Sequence, residues 1–240
     1  MQRPFSKPVV TIAMPFFNNA SSIETSIRSL LKQSYDNFEL LLCDNDCDDD
    51  SLTIAKSFQD PRVVCLHDGR RLGLATRLNQ CIDGARGFYL ARMDAADFAY
   101  PHRLAQQITF LFDNQDVDVC GGGALVLGDH TRGPWVYKPP LVHEEIVQSP
   151  TRGFPLLHSA WMGQIAWFRR WRYKQYVRDA PDQELLRRSY LDSRFANLPE
   201  LVIGHQARKR SKRSTPRKII ESIQFQFFSR VTRDSRGAGW

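Results

Sequence analysis

Apolar runs of strand length alternate with amphipathic stretches from residue 9 to residue 127, a rhythm that predicts a mostly parallel sheet covered by helices. Residues 9–14, VVTIAM, read as a strand buried on both faces that empties into a loop at Pro15. Ser21 and Glu24 have the S-x-x-E spacing of a capping box. Ile23, Ile27, Leu30 and Leu31 then fall on one face of a helix predicted to run to about Gln33. The same reading predicts strands at 38–43, 63–66 and 88–93, with helices at 52–58, 74–85 and 101–112, the last with Pro101 in its first turn. A fifth strand starts at 117–119 and runs into Gly121-Gly122-Gly123, a triplet that fits either a close approach to a ligand or a bulge in the strand.

Beyond residue 129 the pattern loosens into shorter, more aromatic and arginine-rich pieces, as expected of a second, smaller lobe. A helix at 182–191 and a strand at 195–198 are predicted there. Residues 208–218 break into a polar basic stretch. Residues 219–231 resume a helical pattern, with Ile220, Ile223, Phe227 and Val231 on one face. The chain therefore divides into 8–128, 129–207 and 208–240, with no internal repeat.

At 240 residues, 42% hydrophobic and 25% charged, the chain lies in the ordinary globular range, which excludes disordered, collagen-like and membrane-spanning classes. No stretch offers the roughly 20 apolar residues of a membrane span, and the first eight residues lack a signal-peptide core, so a soluble cytoplasmic protein is expected. Cys43, Cys47, Cys65, Cys81 and Cys120 are odd in number and contain no C-x-x-C pair, which predicts reduced thiols and argues against structural zinc. The net charge of +7 is unevenly spread, because 208–218 is strongly basic while 44–50 is strongly acidic.

Ligands of open α/β sheets bind where strands deliver their carboxyl ends. Two predicted strands end in acids there: Asp44-Asn45-Asp46, and Asp94-Ala95-Ala96-Asp97. Such carboxylates suit a hard divalent cation on a nucleotide's phosphates, or hydrogen bonds to base and ribose. They also suit helix caps, the reading preferred for 48–50. An EF-hand is excluded, since Asp49 and Ala55 stand where the loop needs glycine and a bidentate glutamate. His158 and His205 could contact an acceptor or phosphate, although isolated histidines are more often structural.

The ordered set VTIAMPFFNN, SLLKQSYDNFELLLCDN, RLGLATRLNQCI, ARMDAADFAYPHRLAQQ and FANLPEL, over roughly 8–205, resembles family 2 glycosyltransferases of the GT-A fold, especially bacterial members that build surface or extracellular polysaccharides. The resemblance implies transfer of a sugar from a nucleotide diphosphate sugar to an acceptor hydroxyl, with inversion at the anomeric carbon. It implies that Pro15, Phe17, Asn18, Asp44, Asn45, Arg77 and Asp94 hold the donor in 8–128, with 129–207 on the acceptor side. Asp94 and Asp97 would hold a divalent cation, Mn or Mg, and the acceptor would be a saccharide or lipid-linked saccharide. Asp182, in DAPDQELLRRS, matches the acid that deprotonates the acceptor. The alternative is that Asp182 or Asp179 caps the following helix, a role compatible with catalysis.

Four positions depart from the family pattern. Ala96 replaces the second acid of Asp-x-Asp, leaving Asp94 and Asp97 three apart; Asn45 replaces an acid beside the base; and Asp46-Cys47 replaces a small-residue turn. Losing a direct ligand weakens metal binding unless Asp97 or water substitutes. The alternative function is thus a catalytically impaired homologue that binds nucleotide or a partner. The basic stretch 208–218 suits a donor diphosphate, an anionic membrane surface or a solvated linker. Together with 219–231 it suggests peripheral attachment to the inner face of a membrane. No reader motif accompanies the charge, which argues against nucleic acid.

Overall fold

A computed structural model describes residues 7–128 and 133–206; the basic stretch and the amphipathic segment after it lie outside the described residues. The strands are β1 (Val10–Phe16), β2 (Phe38–Asp44), β3 (Val63–Leu66), β4 (Tyr89–Arg92), β5 (Phe98–Ala99), β6 (Val119–Leu127), β7 (Trp135–Tyr137), β8 (Met162–Gln164) and β9 (Phe195–Gln206). The helices are α1 (Ile23–Leu31), α2 (Ser51–Ser57), α3 (Leu74–Gly84), α4 (Arg103–Asp113), α5 (His143–Ile146), α6 (Ile165–Trp171) and α7 (Pro181–Ser189). The strands form one sheet in the order β3-β2-β1-β4-β8-β6-β9-β5, with β7 also on β6. Pairing is parallel through β3-β2-β1-β4 and between β6 and β9, and antiparallel where β8 joins β4 to β6. The expected α/β class, a mostly parallel sheet covered by helices, is what the chain forms, and strands from both halves enter one sheet.

Period-two alternation decides which side chain faces which layer. Val10, Ile12 and Met14 of β1, with Phe38, Leu40 and Leu42 of β2, pack against Ile23, Ile27 and Leu30 of α1 and Leu104 and Leu111 of α4. Ala13, Leu41, Cys43 and Leu90 point the other way, onto Leu78 and Ile82 of α3, Trp167 and Phe168 of α6, and Leu185 and Leu186 of α7. Both faces of the central strands are buried, which explains their continuous apolar runs.

Several expected details change. Helix α1 begins at Ile23 with Ser22 in the cap position and no side-chain cap bond, so the Ser21/Glu24 box does not form. Ser22 Oγ instead donates to Ala95 O at 2.9 Å, a tertiary contact that displaces the local one. Pro101 lies in the turn ahead of α4 rather than inside it, because the helix starts at Arg103. The strand expected at 195–198 runs on to Gln206 despite Pro199, whose missing N–H is accommodated where the β6–β9 register shifts. The glycine triplet belongs to that irregularity. A Cβ at Gly121 would meet Asn197 Oδ1 at 2.3 Å, one at Gly122 would meet Val202, and one at Gly123 would meet Glu200 O, so the close approach is by β9. Strands β5 and β8 are two and three residues long, too short for a periodic signal.

Opposite the acid-bearing edge, Glu39 is 1% exposed and accepts from Thr11 Oγ1 at 2.8 Å and from Arg86 N and Nε at 2.9 and 2.8 Å. Gly87 N donates to Thr11 Oγ1 at 2.9 Å, and a Cβ there would lie 2.5 Å from Thr11 N. Because that obstacle is backbone, Gly87→Ala is expected to cost about 1–3 kcal/mol of stability, read as a lower urea midpoint. A midpoint equal to the parent's would refute it.

Candidate active site

The carboxyl ends of β1, β2 and β4 open on one edge, where backbone polar groups and loop side chains are free of the ladder. Strand β2 delivers Asp44, fully buried, whose Oδ2 lies 2.8 Å from His67 Nδ1 and whose carboxylate accepts from the N–H groups of Asp46 and Cys47. Burial works to raise this carboxyl, but hydrogen bonds from Cys47 and His67 and the backbone bonds carry it below the ordinary range. Asn45 accepts from Leu72 N at 3.0 Å and Gly73 N at 2.9 Å, so its amide oxygen fixes the loop ahead of α3 and only its NH2 remains as a donor to a ligand.

Arg77, 1% exposed, completes that loop: its guanidinium donates to Asp68 Oδ1 and Gln80 Oε1, both at 2.7 Å, and to Arg70 O. Arg71 then reaches over the Phe17 ring, 4.5 Å from its centroid, and bonds Asp48 Oδ2 at 2.7 Å. Phe17 is 39% exposed, and Asn18 turns the chain at φ 52° while its Oδ1 accepts from Asp48 N. Pro15 is buried within β1, opposite Cys43. The expected donor residues thus share one edge: Phe17 and Asn18 form the rim, and Asp44, Asn45 and Arg77 brace it.

Strand β4 ends at Arg92, and the turn after it carries Asp94, Ala95, Ala96 and Asp97. Ser22 at the cap of α1 and Ser26 within it hold this turn, Ser22 Oγ donating to Ala95 O and Ser26 Oγ to Ala95 O and Asp97 O. Asp94 Oδ1 accepts from Arg92 Nη2 at 2.6 Å. Asp97 faces away from the open edge toward β9: it is buried, and its carboxylate meets His205 Nδ1 at 3.0–3.1 Å and accepts from Gln206 N at 2.9 Å. Burial works to lower the His205 imidazole, but the Asp97 hydrogen bond and the charges of Asp97 and Asp94 carry it above its ordinary range.

Helix α7 supplies the facing wall. Ala180 occupies its cap position at φ 47°, so neither Asp179 nor Asp182 stands at the cap itself, and Asp182 sits in the first turn. Burial pushes the Asp182 carboxyl up, against a hydrogen bond from Gln183 and the Arg92 charge. Gln183 exchanges two hydrogen bonds with the Phe154 backbone, which fixes the helix start. His158 Nε2 lies 2.8 Å from Tyr173 OH, and burial and the Arg92 charge hold this imidazole well below its ordinary range, hence neutral. The Tyr173 backbone is in turn clamped by both amide atoms of Asn79.

Arg92 was the residue without an assigned role in the sequence, and it is the centre of this edge. It is 2% exposed, joins Asp94, and its charge acts on His158, Tyr173 and Asp182. An arginine one residue from an acid at the end of an apolar strand is the signal that could have found it. Tyr173 carried no signal, since the segment that presents it has no periodicity.

The family model of glycosyl transferase family 2 matches residues 11–190, 180 of the 240. The chain belongs to glycosyl transferase family 2. This family 2 chain is 34% identical over 168 residues to EpsE of Bacillus subtilis (strain 168), covering 68% of this chain and 59% of that one. It is 28% identical over 141 residues to the UDP-Glc:alpha-D-GlcNAc-diphosphoundecaprenol beta-1,3-glucosyltransferase WfgD of Escherichia coli, covering 59% and 56%. The chain therefore spans less than two thirds of either relative. Among solved structures, S. aureus TarS 1–349 in complex with UDP-GlcNAc superposes with a TM-score of 0.69 at 18% identity, over 90% of this chain and 64% of that one. The mannosyltransferase PcManGT from Pyrobaculum calidifontis, in complex with GDP-Man and Mn2+, gives 0.62 at 18%, over 87% and 59%. These two carry the fold.

The manganese of that neighbour raises the question of fit here. Asp94 is engaged by Arg92, Asp97 by His205 and Gln206, and Ala96 offers no ligand. Among the described residues no group of three His, Cys, Asp or Glu could hold a metal ion. The side chains present at the turn do not fit a divalent cation in the way Asp94 and Asp97 were expected to. Also among the described residues, no helix is long and apolar enough to cross a membrane.

Proposed function

We propose that the chain is an inverting glycosyltransferase that moves a hexosyl group from a nucleoside diphosphate sugar to a hydroxyl of a saccharide or lipid-linked saccharide, in the synthesis of surface or extracellular polysaccharide. The observation that carries this reading is the juxtaposition, around the buried cation Arg92, of Asp94 on the β4 edge and Asp182 in the first turn of α7. UDP-GlcNAc bound in TarS and the undecaprenol-linked acceptor in WfgD's name support a UDP-sugar donor and a lipid-linked acceptor. Such an acceptor would bring the protein to the cytoplasmic face of a membrane.

The donor's base and ribose would lie over Phe17, Asn18 and the NH2 of Asn45, with Asp44 and Arg77 holding that rim in place. The diphosphate would lie toward Asp94. The acceptor oxygen attacks the anomeric carbon from the side opposite the diphosphate; its proton passes to Asp182, and the electron pair of the breaking bond leaves with the nucleoside diphosphate. A hydroxyl is a poor nucleophile until a positioned carboxylate takes its proton, and a raised pKa suits that task near neutral pH. Neutral His158 and Tyr173 provide a donor and an acceptor for orienting the acceptor sugar.

Purified protein incubated with UDP-glucose, UDP-GlcNAc or GDP-mannose and saccharide or undecaprenyl-diphosphate-linked acceptors is expected to release nucleoside diphosphate with one of them, giving a product of opposite anomeric configuration by NMR. Retained configuration would remove the single-displacement mechanism. Nucleotide binding without release under every condition would favour the impaired homologue, the reading that Ala96 motivates.

A further inference from the structure

We infer that this chain holds its donor diphosphate without a divalent cation, the opposing positive charge coming from its own side chains with Arg92 as the fixed cation. The inference rests on the glycosyltransferase reading above and departs from the Asp-x-Asp chemistry that the resemblance implied.

Three observations carry it. The first is the orientation of the acids. A metal that bridges phosphates needs carboxylate oxygens aimed at the ligand, whereas Asp97 is 2% exposed and turned onto His205 and the Gln206 N–H, and residue 96 has only a methyl group. The second is charge balance. A pair of unmatched acids attracts a divalent cation, but here Asp94 is paired with Arg92 and Asp97 with His205, while Arg103 lies behind both, fully buried, with Nη2 donating to Arg92 O at 2.7 Å. The turn is therefore neutral to positive before any ligand arrives, which favours an anion and opposes Mn2+.

The third is unmet hydrogen-bonding capacity. Arg92 Nε and Nη1 and Arg103 Nη1 are buried without a partner, an arrangement that a native site resolves with water or an anion. A guanidinium whose Nη2 already holds Asp94 can turn its remaining N–H groups to a phosphate oxygen that displaces this carboxylate, and arginine forms such forked contacts more readily than lysine. The cation that neutralises the leaving group would then be part of the fold rather than a recruited ion.

Calorimetric titration of the full chain with UDP and with GDP, each in excess EDTA and in saturating manganese, tests this. The expected result is the same affinity in both conditions for the nucleotide that binds, and no heat from manganese alone. Affinity at least about tenfold tighter with manganese would overturn the inference while leaving the transferase reading intact. Failure of both nucleotides to bind in either condition would remove the reading on which it rests, and the inference with it. Two variants address the residues. Arg92→Gln is expected to lose about tenfold or more of the EDTA-insensitive affinity and Arg92→Lys much less, with folding checked by circular dichroism; parent-like affinity in a folded Arg92→Gln protein would overturn the role of Arg92. Ala96→Asp restores an acid at the turn and is expected to make nucleotide binding manganese-dependent. Manganese dependence already present in the parent and unchanged in this variant would place the ion elsewhere and overturn the charge-balance argument.

Discussion

Asp182→Asn is expected to lower sugar transfer by about 10²–10⁴-fold while leaving donor affinity close to the parent's, the signature of losing a proton acceptor that acts only in the transition state. The asparagine preserves size and can still accept from Gln183, so α7 keeps its start. The parent's pH profile should show the same group. Because burial raises the folded-state pKa of this carboxyl, the base is lost as pH falls through a value above that of an ordinary aspartate. Transfer should therefore decline on the acid side of neutrality earlier than a solvated aspartate would dictate, and that limb should vanish in the residual activity of the variant. Turnover of Asp182→Asn equal to the parent's would end its candidacy and leave the helix position as a packing feature.

Arg92→Met is the second large effect, and it falls on stability. Arg92 is fully enclosed at the end of β4 and pairs with Asp94, which is 22% exposed. Removing one partner leaves a carboxylate facing a low-dielectric wall without its cation, at a cost of about 3–5 kcal/mol, measurable by urea unfolding. A change under about 1 kcal/mol would mean that the pair is no stronger than a surface one. The variant also predicts a direction for Asp182: the Arg92 charge lowers this carboxyl, so its removal should move the acid limb of any remaining transfer to higher pH.

How much of this was legible in the sequence follows the physics of each element. Strands β1, β2 and β4 and helices α1, α3 and α4 were readable because burial on one or both faces imprints an apolar pattern on consecutive residues. Strands β5 and β8 were not, being shorter than any period, and their pairing is a property of the assembled sheet. The Ser21 capping box failed because Ser22 and Ser26 serve a partner some 70 positions away, the carbonyls of Ala95 and Asp97, which no local rule can see. The acids at strand ends were found by position, and the sheet does bring them to one edge. Their roles were less accessible, because whether an acid faces a ligand or a neighbour depends on what lies across from it: Asp97 meets His205, 108 residues later. Asn45 and Arg77 show the same limit, since each was singled out for a ligand, yet the Asn45 amide oxygen and most of the Arg77 guanidinium are committed to the loop beside them.

The joining of β4 to β8, β6 and β9 in a single sheet has a mechanical consequence. Backbone hydrogen bonds run without a break from the strand that ends at Arg92 to the strand that ends beside Asp97, so no hinge separates the two halves of the chain. In the proposed reaction, substrates and products would pass the segments hung on the edge, the loop of residues 67–73 and the stretch of residues 172–180 that leads into α7. Amide exchange should divide accordingly, slow for β1, β2, β4 and β6 and fast for those two segments, with nucleotide slowing the first and acceptor the second.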